Sequence, residues 1–248
     1  MIAPEDVVGR WRRAWIDAGG QRDSQTRVIW WQAAGGYCDI RLPADPPDTA
    51  GADALADLDA GTLSQLLRAE GFAGTISVAD TLCTWTRAIN FHGTPETADI
   101  GRLSWDADGA LIEDGGQAPY RERWTRDAAG QPNRAVWHAG SWQLHLVWDA
   151  TAFLLGTGCS TAPPLRALSA ALAHGARPEA PLRAAFDAGY VFGRWDGDTG
   201  IATHAINPFH VGRPVLDRKA LTHGRAELAL PCFNGRIETR CWTALSAA

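Results

Sequence analysis

Tryptophan is abundant in this chain, and many of its indole rings fall in short segments that alternate between apolar and polar residues. Twelve of the 248 residues are tryptophan. Trp85 lies within residues 82–91, and Trp142 and Trp148 lie within residues 141–148. Alternation with a period of two predicts strands, and rings of this size need the large apolar interior of a rolled antiparallel sheet. The sequence therefore predicts a mainly β protein whose antiparallel meander closes into a barrel.

The predicted elements fall into two groups on either side of a polar loop at residues 127–133. Before the loop we predict a helix at 54–70 and strands at 7–16, 26–32, 37–42, 72–78, 82–91, 100–105, 110–113 and 120–126. After it we predict helices at 163–174 and 179–188, and strands at 135–138, 141–148, 152–155, 190–195, 201–206, 227–233 and 236–242.

These groups predict two units. The first is a β-barrel over residues 1–130. The second is a smaller β unit or partial barrel over residues 131–248, with a helical insertion at about 163–188. Its last hairpin is expected to turn at Asn234 and Gly235 with both residues at positive φ, because that dipeptide favours two-residue hairpin turns.

Charge and composition argue against several classes of partner. The formal net charge is −5 and Lys219 is the only lysine, so no basic excess marks a nucleic-acid or membrane surface. No apolar stretch approaches the ~20 residues that cross a bilayer. The N-terminal residues lack the positive and apolar regions of a signal peptide. We expect a cytoplasmic protein that binds neither nucleic acid nor membranes.

Motifs for metals and cofactors are also missing from the sequence. The five cysteines are widely spaced and include no Cys-x-x-Cys pair, and no two histidines have the spacing of a metal site on one face. Neither a Gly-x-Gly-x-x-Gly nor a Gly-Lys-Ser/Thr run is present. The sequence predicts no metal and no cofactor.

Several runs along the first half carry a family resemblance. They are Gly-Arg-Trp-Arg-Arg at 9–13, Val-Ile-Trp-Trp-Gln at 28–32, and the segments at 37–43, 72–74, 83–87 and 111–115. The chain resembles a bacterial family of lipocalin-like proteins of the calycin superfamily. It is similar in length to fungal proteins built of two fused lipocalin-like units. The resemblance implies a closed barrel with room for an internal pocket, in which Trp11 closes one end beside an arginine from a late strand.

Alternation in residues 37–42 places Tyr37, Asp39 and Arg41 on one face of a strand. If that face points inward, Asp39 and Arg41 form a buried ion pair, and the guanidinium could orient a polar group of a ligand. If that face points outward, or if the ion pair only stabilises the end of the barrel, these polar residues have a structural role. Gln32, Arg87, Glu113 and Glu122 extend the same polar set.

His145 presents a similar choice of face. It alternates with Trp142, Leu144, Leu146 and Trp148, so the histidine and the apolar set lie on opposite sides of the strand. An inward His145 would be a buried general base. An outward His145 above an inward apolar face is the simpler interpretation on burial grounds.

The aromatic residues predict a pocket for a small apolar or aromatic ligand, held at one end by Arg41 or Arg87. The expected lining is Trp30, Tyr37, Trp85, Trp105 and Trp124. The alternative is a cofactor-independent cyclase, isomerase, hydratase or lyase in which His145, Glu122 or Asp39 moves protons. A third hypothesis is a solid barrel that acts as an interaction protein, with the apolar helix at 165–174 serving a homodimer.

Overall fold

The computed structural model describes residues 2–93, 95, 97–221 and 225–244, and its strands form two antiparallel sheets. The first sheet contains β1 (Gly9–Ala18), β2 (Gln21–Asp23), β3 (Arg27–Ala33), β4 (Gly36–Leu42), β5 (Glu70–Ala79), β6 (Leu82–Asn90), β7 (Asp99–Trp105), β8 (Leu111–Gly115) and β9 (Tyr120–Ala128). Each strand from β3 to β9 pairs with its neighbour in sequence, and β1 pairs with both β3 and β9. The sheet therefore closes into an eight-stranded barrel, with β2 as an extra hairpin strand on β1.

The second sheet is a nearly closed barrel. It contains β10 (Asn133–Ala139), β11 (Trp142–Trp148), β12 (Ala152–Cys159), β13 (Tyr190–Asp196), β14 (Thr199–Ala205), β15 (Pro214–Asp217), β16 (Arg225–Pro231) and β17 (Ile237–Ala244). Its spatial order is β15-β14-β13-β12-β11-β10-β17-β16, so β15 and β16 are the two edge strands. The mainly β, barrel-forming fold predicted from the alternating pattern is confirmed.

Four short α-helices accompany the sheets in the described part of the chain. They are α1 (Ala60–Leu66), α2 (Arg166–Ala173), α3 (Glu179–Phe186) and α4 (Arg218–Leu221). Leu168 and Leu172 of α2 and Leu182 and Phe186 of α3 are buried, so each helix packs one apolar face against the sheets. Among these helices none has the length and apolar character needed to span a bilayer.

Three apolar clusters hold the molecule together. The first barrel is filled by rings such as Trp11, Trp30 and Trp124. The second barrel contains its own cluster, which includes Phe153 and Trp242. The third cluster lies between the barrels, where the outer faces of β3 and β4 meet those of β11 and β12 under the cover of the helices. Strand alternation thus gives the first barrel two buried faces, one inside and one against its neighbour.

Two local predictions are wrong. The predicted helix at 54–70 is a 3₁₀ turn at Leu55–Asp57 followed by α1, because Asp59 is extended and its side chain caps the helix by accepting from the Thr62 amide at 2.7 Å. In the last hairpin only Gly235 has a positive φ, at 77°. The strands end at 231 and begin again at 237, and the Gly235 amide donates to the Cys232 carbonyl at 2.8 Å, so the turn is longer than two residues.

Candidate ligand-binding site

The interior of the first barrel contains a cavity of about 210 Å³. All eight strands of the closed barrel contribute to it, and its wall combines aromatic and charged side chains. The lining consists of Ile16, Trp30, Asp39, Arg41, Phe72, Trp85, Arg87, Asp99, Glu113, Tyr120, Glu122 and Trp124. The inward face of β4 is therefore the polar face that carries Asp39 and Arg41, whereas Cys38 and Ile40 face the second barrel.

A chain of ion pairs runs along one side of the cavity. Arg41 Nε donates to Asp39 Oδ1 at 3.1 Å, and Arg41 Nη1 lies 4.0 Å from Glu122 Oε1. The same Glu122 oxygen accepts from Arg13 Nη1 at 2.8 Å, and Arg13 also reaches Asp23 at 3.1 Å. Burial raises the pKa of Asp39 to about 6, although the neighbouring Arg41 guanidinium partly offsets that effect.

Arg87 occupies another part of the wall. Its Nη2 donates to Asp99 Oδ2 at 2.6 Å, and its guanidinium carbon lies 3.7 Å from the centre of the Phe72 ring. This stacking and the ion pair hold the guanidinium plane in one orientation. Arg87 Nε is buried and has no hydrogen-bond partner among the described residues.

Two glutamates face each other at the junction of β8 and β9. Glu113 and Glu122 are directly opposed in the strand register. Tyr120 Oη donates to Glu113 Oε1 at 2.7 Å, and Trp124 Nε1 donates to Glu113 Oε2 at 3.2 Å. Burial, and then the neighbouring Glu122, raise the pKa of Glu113 well above the usual range of a carboxyl group. The site therefore favours a protonated Glu113 beside a Glu122 that is paired with Arg13.

Indole rings form the apolar part of the wall. The Trp30 ring lies 5.6 Å from Trp124 and 6.0 Å from Trp85, both in edge-to-face geometry. Within the described chain, Trp30 Nε1 and Glu122 Oε2 are buried without hydrogen-bond partners, as is Arg87 Nε. The residues that line the cavity therefore include two with an unpaired donor and one with an unpaired acceptor, together with several aromatic rings.

Seven of the residues predicted for a site meet in this cavity. They are Asp39, Glu122, Arg41, Arg87, Trp30, Trp85 and Trp124. Two further predicted aromatic residues lie in the same barrel but outside the lining. Tyr37 is fully buried against Phe72, with ring centres 6.1 Å apart, and Trp105 is 40% exposed and packs on Trp11.

His145 lies elsewhere, because Leu144 and Leu146 occupy the inward face of β11. The histidine shares the opposite face with Val147, which packs between the two barrels. It is 3% exposed, and its Nε2 contacts Gln143 Oε1 at 2.8 Å. Burial and then the nearby Arg134 lower the pKa of His145 to about 3, so the ring is neutral near neutral pH.

Sequence reasoning did not include Tyr120, Asp99, Phe72 or Ile16 in the site. A signal for Tyr120 was present, because Tyr120, Glu122 and Trp124 alternate along β9 and must share a face. Asp99 begins its strand, where alternation gives little guidance. Within the part of the chain described, no group of three or more His, Cys, Asp or Glu side chains is arranged to hold a metal ion.

Comparison with known proteins bears on the fold alone. No protein-family model and no curated protein matches the sequence. Among solved structures, the chain is similar to the crystal structure of an uncharacterized protein, YLR301w, from Saccharomyces cerevisiae, with a TM-score of 0.54 and 10% sequence identity. The alignment covers 96% of this chain and 97% of the yeast chain. The similarity therefore extends over both sheets of this molecule.

Proposed function

We propose that the first barrel binds a small, neutral, single-ring aromatic compound with a polar substituent. The observation that carries the proposal is the cavity of about 210 Å³, whose lining residues include indole rings and side chains with unpaired hydrogen-bonding atoms. A dry cavity of about 150 Å³ can hold benzene, whereas drug-sized ligands occupy roughly 300–1,000 Å³. The volume therefore suits one ring with a short substituent.

The charges of the site favour a neutral ligand. The guanidinium groups of Arg13, Arg41 and Arg87 are matched by the carboxylates of Glu122, Asp39 and Asp99. An added ionic group would lack a free counter-charge, and burial of an unpaired charge is costly.

A hydroxyl group fits the unpaired atoms, because it can accept from Arg87 Nε or Trp30 Nε1 and donate to Glu122 Oε2. Of the two arginines that the sequence offers as ligand anchors, Arg87 is the one with a buried N–H that has no hydrogen-bond partner among the described residues. Phenols are therefore the favoured ligand class, with aromatic amides next.

Calorimetric titration with phenol, benzamide, toluene and benzoate tests the proposal. We expect phenol to bind at least about tenfold more tightly than toluene, since a hydrogen bond to a charged group contributes roughly 1.5–3 kcal/mol. Benzoate should bind more weakly than phenol. Arg87→Met should reduce phenol binding and leave toluene binding nearly unchanged.

A cavity-filling variant provides the control for location. Ile16→Trp places a larger side chain on the cavity wall, whereas Ile237→Trp makes the same change at a residue that is 58% exposed. We expect only the first to abolish phenol binding. Absence of binding by every compound, or equal binding by both variants, would contradict the proposal.

The pair of glutamates favours a second candidate, a cofactor-independent enzyme that moves protons on a small ring substrate. Glu113 with a raised pKa is a proton donor, and Asp39, with a pKa of about 6, is a proton acceptor on the same cavity wall. Exchange of deuterium from solvent into the α-carbons of cyclohexanone, followed by NMR, tests this activity. Glu113→Gln and Asp39→Asn should abolish the exchange, and failure of the wild type to accelerate it would exclude this candidate.

We also propose that the first barrel is related to the lipocalin-like proteins. Trp11 is fully buried at the start of β1, and the guanidinium carbon of Arg126, from the last strand of the barrel, lies 4.5 Å from the centre of its ring. Trp11 Nε1 donates to the Val7 carbonyl at 2.8 Å. This is the tryptophan and late-strand arginine that the family resemblance implies, and it supports a calycin-like origin for the first barrel.

A further inference from the structure

A second cleft opens where the two barrels meet, away from the interior of the first barrel. It has a volume of about 640 Å³ and is bounded by β1, β3 and the loop before β3 on one side, and by β13 and β14 on the other. Its wall is rich in basic side chains, namely Arg10, Arg12, Arg13, Arg27, Arg194 and His204. This concentration contrasts with the formal net charge of −5 for the whole chain.

Three of these arginines already have acidic partners. Arg10 Nε and Arg12 Nη2 donate to Asp127 at 2.8 and 2.7 Å. Arg13 is bound to Glu122 and Asp23, as described above. Arg10 Nη1 also lies 4.0 Å from Asp149 Oδ2, so the three guanidinium groups are close to neutralised.

Arg27 and Arg194 differ from the other three. Both are exposed, and neither forms an ion pair or a side-chain hydrogen bond with any residue in the described ranges. Arg27 begins β3 of the first barrel, and Arg194 lies in β13 of the second. Two unneutralised guanidinium groups thus enter one cleft from opposite barrels.

His204 of β14 also lines this cleft. Its Nδ1 is 3.0 Å from Thr203 Oγ1, and its ring packs against Phe192 at 5.9 Å. Burial lowers the pKa of His204, and the positive charges of Arg27, Arg194 and Arg12 lower it further. The positive potential of the cleft therefore disfavours protonation of His204, and a bound anion would raise the pKa of this histidine again.

We propose that this inter-barrel cleft binds the phosphate group of a small molecule between Arg27 and Arg194. Guanidinium groups that approach from different directions suit a tetrahedral phosphate, which offers oxygens on several sides, better than a planar carboxylate with two oxygens in one plane. Thr203 Oγ1 donates to the Phe192 carbonyl at 3.1 Å and so accepts from His204 Nδ1, and His204 would therefore donate to the phosphate from Nε2 in the protonated form that a bound anion favours. Phe192 and Ile29 provide an apolar wall for the organic part. The volume lies in the range of small-molecule sites.

Isothermal titration of inorganic pyrophosphate into the full-length protein tests the site. The variant Arg27→Gln with Arg194→Gln removes both unpaired charges. The control, Arg102→Gln with Arg236→Gln, removes the same charge from one exposed arginine in each sheet region outside the cleft. We expect the cleft variant to lose at least about tenfold in affinity, since each lost charge-assisted bond contributes that much, and the control less than about twofold.

Each single substitution should weaken pyrophosphate binding, which keeps the test informative if the double variant is poorly folded. Lack of pyrophosphate binding by the wild type, or equal losses in the cleft and control variants, would overturn the proposal. A single-stranded oligonucleotide is titrated in parallel. If it binds more tightly than pyrophosphate and the cleft variant abolishes that binding, the ligand is a nucleic-acid backbone and the small-molecule proposal is wrong.

Discussion

The two barrels are built from similar aromatic and aliphatic residues, yet one is hollow and the other is filled. The first contains a cavity of about 210 Å³, whereas the void near the core of the second measures about 20 Å³. The buried carboxylates of the described chain, Asp39, Glu113 and Glu122, all face the first interior. Over the described part of the second half, the buried polar residues are His145, Thr157, Asn207 and His210.

The filling of the second barrel depends on glycines beneath a large ring. A Cβ atom added at Gly193 would lie 2.2 Å from Phe153 Cζ, and one at Gly200 would lie 2.7 Å from Phe153 Cε1. The ring of Phe153 therefore occupies the space that two side chains leave free. In the first barrel the charged groups pair along the wall instead of crossing the interior. The polarity of the side chains that face the interior, more than the number of indole rings, therefore decides which barrel is hollow.

The largest difference between the two barrels is expected when a side chain that faces each interior is truncated and the loss in the free energy of unfolding is compared. Phe153→Ala in the second barrel should lower the free energy of unfolding by about 3–5 kcal/mol, because it opens a cavity in a solid core. Ile16→Ala, on the wall of the existing cavity and half-buried, should cost less than about 2 kcal/mol. Urea unfolding followed by circular dichroism measures both.

Similar losses for the two variants would show that the first barrel depends on its wall residues as much as a packed core does. The cavity would then be a consequence of strain and not a site kept open by paired charges. The slope of the unfolding free energy against urea concentration should stay constant, which confirms that the two variants unfold from comparable states.

Titration should give the two barrels opposite pH dependences. The raised pKa of Asp39, about 6 against 3.8, means that the folded state binds this proton more tightly than the unfolded state does. The contribution of Asp39 to the free energy of unfolding is complete below about pH 4, and it falls by about 3 kcal/mol as the pH rises to about 6. Burial lowers the pKa of His210 from 6.5 to about 4, so its contribution falls by about 3 kcal/mol as the pH drops through that window.

The comparison uses Asp39→Asn and His210→Gln, with unfolding free energies measured from about pH 4 to about pH 7. Relative to Asp39→Asn, the wild type should lose stability as the pH rises. Relative to His210→Gln, it should lose stability as the pH falls. If the difference in unfolding free energy between wild type and variant changed with pH in the same direction for both variants, the assignment would be contradicted. Asp39 would then not be a carboxyl group with a raised pKa, or His210 would not be a neutral histidine with a lowered pKa.

Strand alternation was the part of the sequence that predicted the most. It predicted most strand positions, though not β2 or β15, and it predicted the meander and the grouping of Tyr37, Asp39 and Arg41 on one face. It could not say which face points inward. For β4 the polar face is the inner one, because the apolar face with Cys38 and Ile40 packs against the second barrel. A strand buried on both sides carries no hydropathy signal for its orientation.

His145 and the inter-barrel cleft show the same limit. The apolar face of β11 does point inward, but His145 is buried because the first barrel packs against the outer face of β11, and no local pattern encodes the position of the first barrel. Arg27 and Arg194 are far apart in sequence and meet only through the packing of the two sheets. Helix ends and turns that depend on a single cap, such as Asp59, were missed because side-chain capping can override hydrophobic spacing.

The smallest expected difference concerns the arginines that cover tryptophans. Arg126 lies over the fully buried Trp11 of the first barrel at 4.5 Å, and Arg240 lies over the half-buried Trp142 of the second at 4.3 Å. Cation–π contacts contribute about 0.5–1 kcal/mol when exposed and about 2 when desolvated. Arg126 is exposed, but its Nη2 also donates to the Asp6 carbonyl, so Arg126→Gln should cost about 1–2 kcal/mol, and Arg240→Gln about 0.5–1 kcal/mol, in urea unfolding. An equal cost would mean that the closed end of the hollow barrel is no more tightly sealed than the rim of the filled one, and that its cavity is open to solvent there.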